Sequence, residues 1–169
     1  KLRLFKLLMR VVLMTSDQPR HYYLYKRLAN SANIELIYTI IQSKNPTRNY
    51  RLKYQDYPRF SRWLDDYKAK ESKQFNPLAF KTSQEACIHT TDINSQEVLD
   101  LVTKLNSDAV VVFGTGLVKK EIISTVPMIF NIHLGLSPFY RGTATTLWPY
   151  INNEPQYIGA SILRLDAGI

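Results

Sequence analysis

The stretch DAVVVFG, residues 108–114, constrains the fold more than any other part of the chain, because it is apolar almost without interruption. A strand with one solvated face alternates apolar and polar residues, whereas this one sends apolar side chains both ways and needs cover on both faces. That is the habit of a parallel sheet with helices packed on either side. Further apolar, β-branched runs occur at RVVLMT (10–15), IELIYTII (34–41), MIFNIH (128–133) and IGASILRLD (158–166). Segments with helical character fall between them: YYLYKRLAN (22–30), QEVLDLVTKL (96–105), VKKEIIS (118–124) and, in part, TTLWPYINN (145–153). Asn94 with Glu97 reads as a capping box for the second of these. Strand and helix in alternation predict an α/β fold with a doubly wound, mostly parallel sheet. The expectation is one domain over residues 1–169, with an elaboration at about 44–86.

That elaboration is basic. Between Lys44 and Lys81 there are ten Lys or Arg against four acidic residues, within a chain of net charge +8. Tyr50, Tyr54, Tyr57, Phe60, Trp63, Tyr67 and Phe75 are interleaved with them. Cations mixed with rings suit a nucleotide or single-stranded nucleic acid. Phe60, Trp63, Leu64 and Tyr67 also follow the spacing of an amphipathic helix with a solvated basic face, which accounts for them without any ligand. The lone Cys87 excludes an intrachain disulfide and a Cys/His metal cluster, so the cytoplasm is the expected compartment. Lys1, Arg3, Lys6 and Arg10 break up the apolar start, so neither a membrane span nor a signal peptide is expected there.

The turn after the first strand reads TSDQPRHYY and contains no glycine. A G-x-G-x-x-G dinucleotide loop is therefore absent from it. Thr15, Ser16, Asp17 and Gln18 can hydrogen-bond a polar substrate, and Arg20 or His21 can meet a phosphate. Local turn chemistry is the competing explanation. A second polar group lies in FNIHLGLSPFYRG, residues 130–142. Asn131 and His133 are two positions apart at a strand's exit, so they project on the same side, where open α/β sheets bind ligands. An Asn amide can donate to oxygen charge developing on a carbonyl, and a His can exchange a proton near neutral pH. The pair suits acyl-type transfer to an amine; a structurally satisfied histidine is the alternative.

From Asp108 to Ile169 the sequence resembles the family of formyltransferases that use 10-formyltetrahydrofolate. NIHLGLSPFYRG, then a helix, then IGASILRLDAGI carry the resemblance. It implies a Rossmann-like formyltransferase fold and gives Asn131 and His133 the family's catalytic positions. Arg141 and Gly142 match the Arg-Gly that closes the family's loop, and with Ser137 they are expected on the substrate side. VVFGTGLV (111–118) resembles the strand and loop that hold the folate ring, which makes Phe113, Gly114, Thr115, Gly116 and Leu117 the expected cofactor contacts. Leu134, Gly135 and Ser137 replace the family's usual Pro, Ser and Leu, whereas Pro138 and the spacing to Gly142 are kept. Asp166, Gly168 and Ile169 match the start of the family's Asp-x-Gly-hydrophobic-Asp-Thr-Gly motif. Its second Asp would fall one position past Ile169, so Asp166 is a flanking, cofactor-side residue and a longer parent chain is expected.

The implied reaction moves a formyl group from 10-formyltetrahydrofolate to an amine, on a nucleotide-linked amino sugar or on methionyl-tRNA. A hydrolase releasing formate from the same folate is a sister possibility. A non-catalytic nucleotide- or nucleic-acid-binding module on the same fold is a third.

Overall fold

The computed structural model describes residues 8–43, 58–75, 86–142 and 145–166. Tyr50, Tyr54 and Tyr57, the side chains of Phe60, Trp63 and Leu64, and Gly168 with Ile169 lie outside the described part, and with them much of the basic elaboration.

β1 (Met9–Ser16), β2 (Ile34–Gln42), β3 (Cys87–Thr90), β4 (Ala109–Phe113), β5 (Ile129–His133) and β6 (Ser161–Arg164) form one sheet. Their spatial order is β3-β2-β1-β4-β5-β6, with every neighbouring pair parallel except the last. The chain runs outward from β1 to β2 and β3, then returns to the other side of β1 to lay down β4 and β5. The order therefore reverses between β1 and β4, and the crevice outside the carboxyl ends of those strands is where such sheets take ligands.

The apolar runs explain why β1 and β4 are central. Val11, Val12, Leu13 and Met14 are all buried, as are Ala109, Val110, Val112 and Phe113, so both faces are covered. On one face Val12, Met14, Ile40, Val110 and Val112 pack with Ile93, Val98, Val102, Ile122 and Ile129. Each such side chain contributes about 1.5–3 kcal/mol when withdrawn from water. α1 (Pro19–Ala29) starts with proline in its first turn, where the missing N–H costs nothing. α2 (Pro58–Phe75) lies against α1 through an ion pair, Arg20 Nη1 to Glu71 Oε1 at 2.7 Å. α3 (Gln96–Leu105) buries Val98 and Val102, and α4 (Lys120–Ile123) is a single turn. α5 (Trp148–Ile151) is also one turn, with Pro149 inside it.

Three particulars differ from the sequence reading or extend it. The cap of α3 is Ser95, whose hydroxyl accepts from the Val98 N–H at 3.3 Å, and not Asn94. The short edge strand β3 was not foreseen, and β6 runs antiparallel to β5.

Candidate functional site

β5 is held between β4 and β6, which fixes the height and direction of its two polar residues. Asn131 lies beside Val112 of β4 and opposite Leu163 of β6, and His133 faces Ser161. Both side chains are half-buried on the same side of the strand, at its carboxyl end. Among the described residues none bonds the Asn131 side-chain amide.

His133 is anchored. Its Nε2 lies 3.2 Å from the carbonyl oxygen of Tyr140. A carbonyl only accepts, so that bond requires a proton on Nε2 and leaves Nδ1 as the basic nitrogen of the neutral ring. The loop that brings Tyr140 back is fastened at several points. Ser161 donates from its hydroxyl to the Gly135 carbonyl and accepts from the Ser137 N–H, both at 2.9 Å. The Ser137–Pro138 peptide is cis. The Tyr140 hydroxyl donates to Glu154 and accepts from Asn152 Nδ2 at 3.0 Å. The bond to Glu154, with lesser help from desolvation, raises the phenol above its ordinary value of 10.0. Gly135 lets the loop close: a Cβ there would sit 2.7 Å from both His133 Nε2 and Thr145 Cβ. Arg141 and Gly142 follow as exposed residues, with Gly142 at φ +94°.

The neighbouring wall is the turn leaving β4. Gly114 adopts φ +75°, and a Cβ on it would lie 2.4 Å from Cε1 of His21. His21 fills that space because it is buried, bonded through Nδ1 to Ser16 Oγ at 2.5 Å and set edge-on to Phe113. Thr115 turns its hydroxyl onto the Gly116 carbonyl, and Leu117 is 83% exposed. Phe113 itself is 8% exposed and packs as core, so the part of this segment open to a ligand is Gly114 to Leu117.

The first turn sorts its polar residues by burial. Thr15 is bonded to the Phe113 carbonyl at 2.9 Å, and Ser16 is occupied by His21. Asp17 is exposed and Gln18 half-buried, which leaves these two nearest to solvent. Of the two residues read as able to meet a phosphate, His21 is 1% exposed and Arg20 pairs through Nη1 with Glu71 at 2.7 Å. Asp166 is exposed just past β6. Among the described residues no group of three or more His, Cys, Asp or Glu is placed to hold a metal ion. No described helix is long and apolar enough to cross a membrane.

Solved structures match almost the whole chain. A sugar N-formyltransferase from Shewanella aligns with 94% of the chain at TM-score 0.55 and 15% identity, covering 52% of that protein. A phosphoribosylglycinamide formyltransferase from Anaplasma phagocytophilum aligns with 94% of the chain at TM-score 0.59 and 12% identity, covering 65% of its own length. This is the formyltransferase fold. Sequence relatives agree with it: a methionyl-tRNA formyltransferase from Finegoldia magna is 32% identical over 108 residues, 60% of this chain and 34% of the relative. Another from Geobacter metallireducens is 33% identical over 79 residues, 46% of this chain and 25% of its own length. The chain thus spans about a quarter to a third of the curated relatives it matches. No protein-family model matches it. Within the formyltransferase fold, Gln42, Asn94, Tyr140, Glu154 and Ser161 brace the two loops that border the crevice, and none of these bracing roles follows from the sequence.

Proposed function

We propose that the chain carries the formyl-transfer site of an enzyme that moves a formyl group from 10-formyltetrahydrofolate to an amine. The observation that supports this most is the pairing of the Asn131 amide with an anchored His133 on one side of β5, next to the glycine turn after β4. The residues present suit the donor: Gly114 to Leu117 offer a main chain with little side-chain cover and one exposed apolar side chain for a flat ring. Phe113 would support that turn from beneath; Asp166 follows Leu165, whose N–H donates to the Ile129 carbonyl at 2.9 Å, so it stands toward the other end of β5 from this turn.

When bound, 10-formyltetrahydrofolate supplies an activated formyl carbon. The chain's own part is electrostatic and positional. The Asn131 amide donates to the oxygen on which negative charge builds, a contribution of about 3 kcal/mol for one well-placed donor. His133, with Nε2 tied to Tyr140, has Nδ1 left to take the proton that the attacking amine loses. The Tyr140 carbonyl holds the His133 ring, and Ser161 holds the loop that follows it, before the substrate arrives. Asp17, Gln18, Ser137, Arg141 and Gly142 would meet the amine's carrier, and Ser16 would act through the turn it stabilises.

The proposed acceptors are methionyl-tRNA and a nucleotide-linked amino sugar. The test is an assay of formyl transfer from 10-formyltetrahydrofolate to each, with free formate measured alongside. Asn131→Ala and His133→Ala are each expected to lower kcat by about a hundredfold or more. Unchanged rates in both variants would refute the assignment, and formate as the sole product would convert the transferase into a hydrolase.

A further inference from the structure

The turn after β4 holds two glycines, Gly114 and Gly116, and is tied down from two other elements. Gln42, the last residue of β2, accepts from the Gly116 N–H through Oε1 at 2.7 Å. Its Nε2 donates to the Thr91 carbonyl at 3.1 Å, which fixes which way round the amide sits. Asn94, in the link between β3 and α3, clamps the far side of the turn: Nδ2 donates to the Leu117 carbonyl at 2.9 Å and Oδ1 accepts from the Lys119 N–H at 2.7 Å. Two side-chain amides thus satisfy main-chain groups on either side of Leu117, whose own side chain stands 83% exposed. A large apolar side chain gains nothing from being held rigidly in water. It gains if a flat apolar surface later covers it, because the ordering cost has been met in advance.

We infer that Gln42 and Asn94 are positioning residues for the formyl donor, holding Gly114 to Leu117 in the shape that receives its ring. The inference rests on the formyl-transfer reading and deepens it. Neither residue need touch the donor. Their effect falls on donor affinity and not on the chemistry at Asn131 and His133.

The experiment compares the full-length protein that contains this chain, unsubstituted, with its Gln42→Leu, Gln42→Glu and Asn94→Ala variants. Binding of 10-formyltetrahydrofolate is followed by calorimetry, transfer by KM and kcat, and exchange of the Gly116 amide proton by NMR. Gln42→Leu removes the acceptor, and donor affinity is expected to fall about fivefold to tenfold, the effect of one lost hydrogen bond, with kcat nearly constant. Gly116 exchange is expected to quicken. Gln42→Glu keeps an acceptor for Gly116 but sets an oxygen against the Thr91 carbonyl, and is expected to recover part of the affinity. Asn94→Ala should resemble Gln42→Leu, and its different location guards against a local misfolding artefact. Donor binding within twofold of the unsubstituted protein in both Gln42→Leu and Asn94→Ala overturns this inference alone. No donor binding by the unsubstituted protein overturns the formyl-transfer reading, and the inference with it.

Discussion

Replacing Gly114 by alanine tests whether the turn after β4 is built as described. Two separate penalties apply. At φ +75° any residue with a Cβ pays about 1–2 kcal/mol for the left-handed conformation. The new methyl would also lie 2.4 Å from Cε1 and 2.6 Å from Nε2 of His21. The ring has little room to yield, because it is 1% exposed, bonded to Ser16 and set against the Phe113 ring at a centroid distance of 4.4 Å. Crowding of this kind adds about 1–3 kcal/mol. The expected loss is about 3 kcal/mol, or a melting point lower by about 6–12 °C for a chain of this size. Gly116→Ala is the internal control. Among the described residues its Cβ would meet Gln42 alone, at 3.6 Å, and its φ is not in the left-handed region, so stability should stay within about 0.5 kcal/mol of the parent. Urea unfolding of both variants is the assay. Equal stability for the two would refute the argument that His21 occupies the space a side chain on Gly114 would need.

Further outcomes follow from other contacts. Gly135→Ala should disable transfer while leaving the sheet folded, because its methyl would press on His133 Nε2 and Thr145; retention of more than half the kcat would contradict that. Tyr140 is expected to ionise above pH 10.0, since its neutral hydroxyl is what donates to Glu154. The loop contact is then fully present below pH 10.0 and lost as pH rises through the elevated value. A phenolate difference titration against Tyr140→Phe measures this, and Glu154→Ala should bring the step back toward 10.0. Ile40→Ala removes a fully buried side chain from the carboxyl half of β2 and should cost about 3 kcal/mol in urea unfolding.

Legibility in the sequence followed the distance over which each feature is determined. β1 and β4 were readable because a run buried on both faces needs no partner to reveal it. β3 was not, since CIHT is four residues long and sits at a sheet edge with neither alternation nor a strong apolar core. The direction of β6 could not be read either, because ASILR has the same pattern in a parallel or an antiparallel pair. The cap of α3 was misplaced by one residue: Asn94 and Ser95 are both good caps, and only the turn 23 residues later shows why the asparagine is engaged elsewhere. At the candidate site, spacing along a strand puts Asn131 and His133 on one side of β5, whereas a catalytic role for them comes from the family resemblance. The tautomer of His133 and the bracing by Gln42 and Ser161 depend on residues 7, 74 and up to 26 positions away, and no local pattern encodes them.

The measurement that bears most directly on the central claim is mapping of amide and side-chain NMR shifts as 10-formyltetrahydrofolate is added to the isotope-labelled chain. The largest changes should fall on Gly114 to Leu117, on the Asn131 side-chain amide and on His133. Changes confined to the basic helix α2, or none at donor concentrations in the millimolar range, would contradict the placement of the site at the exits of β4 and β5.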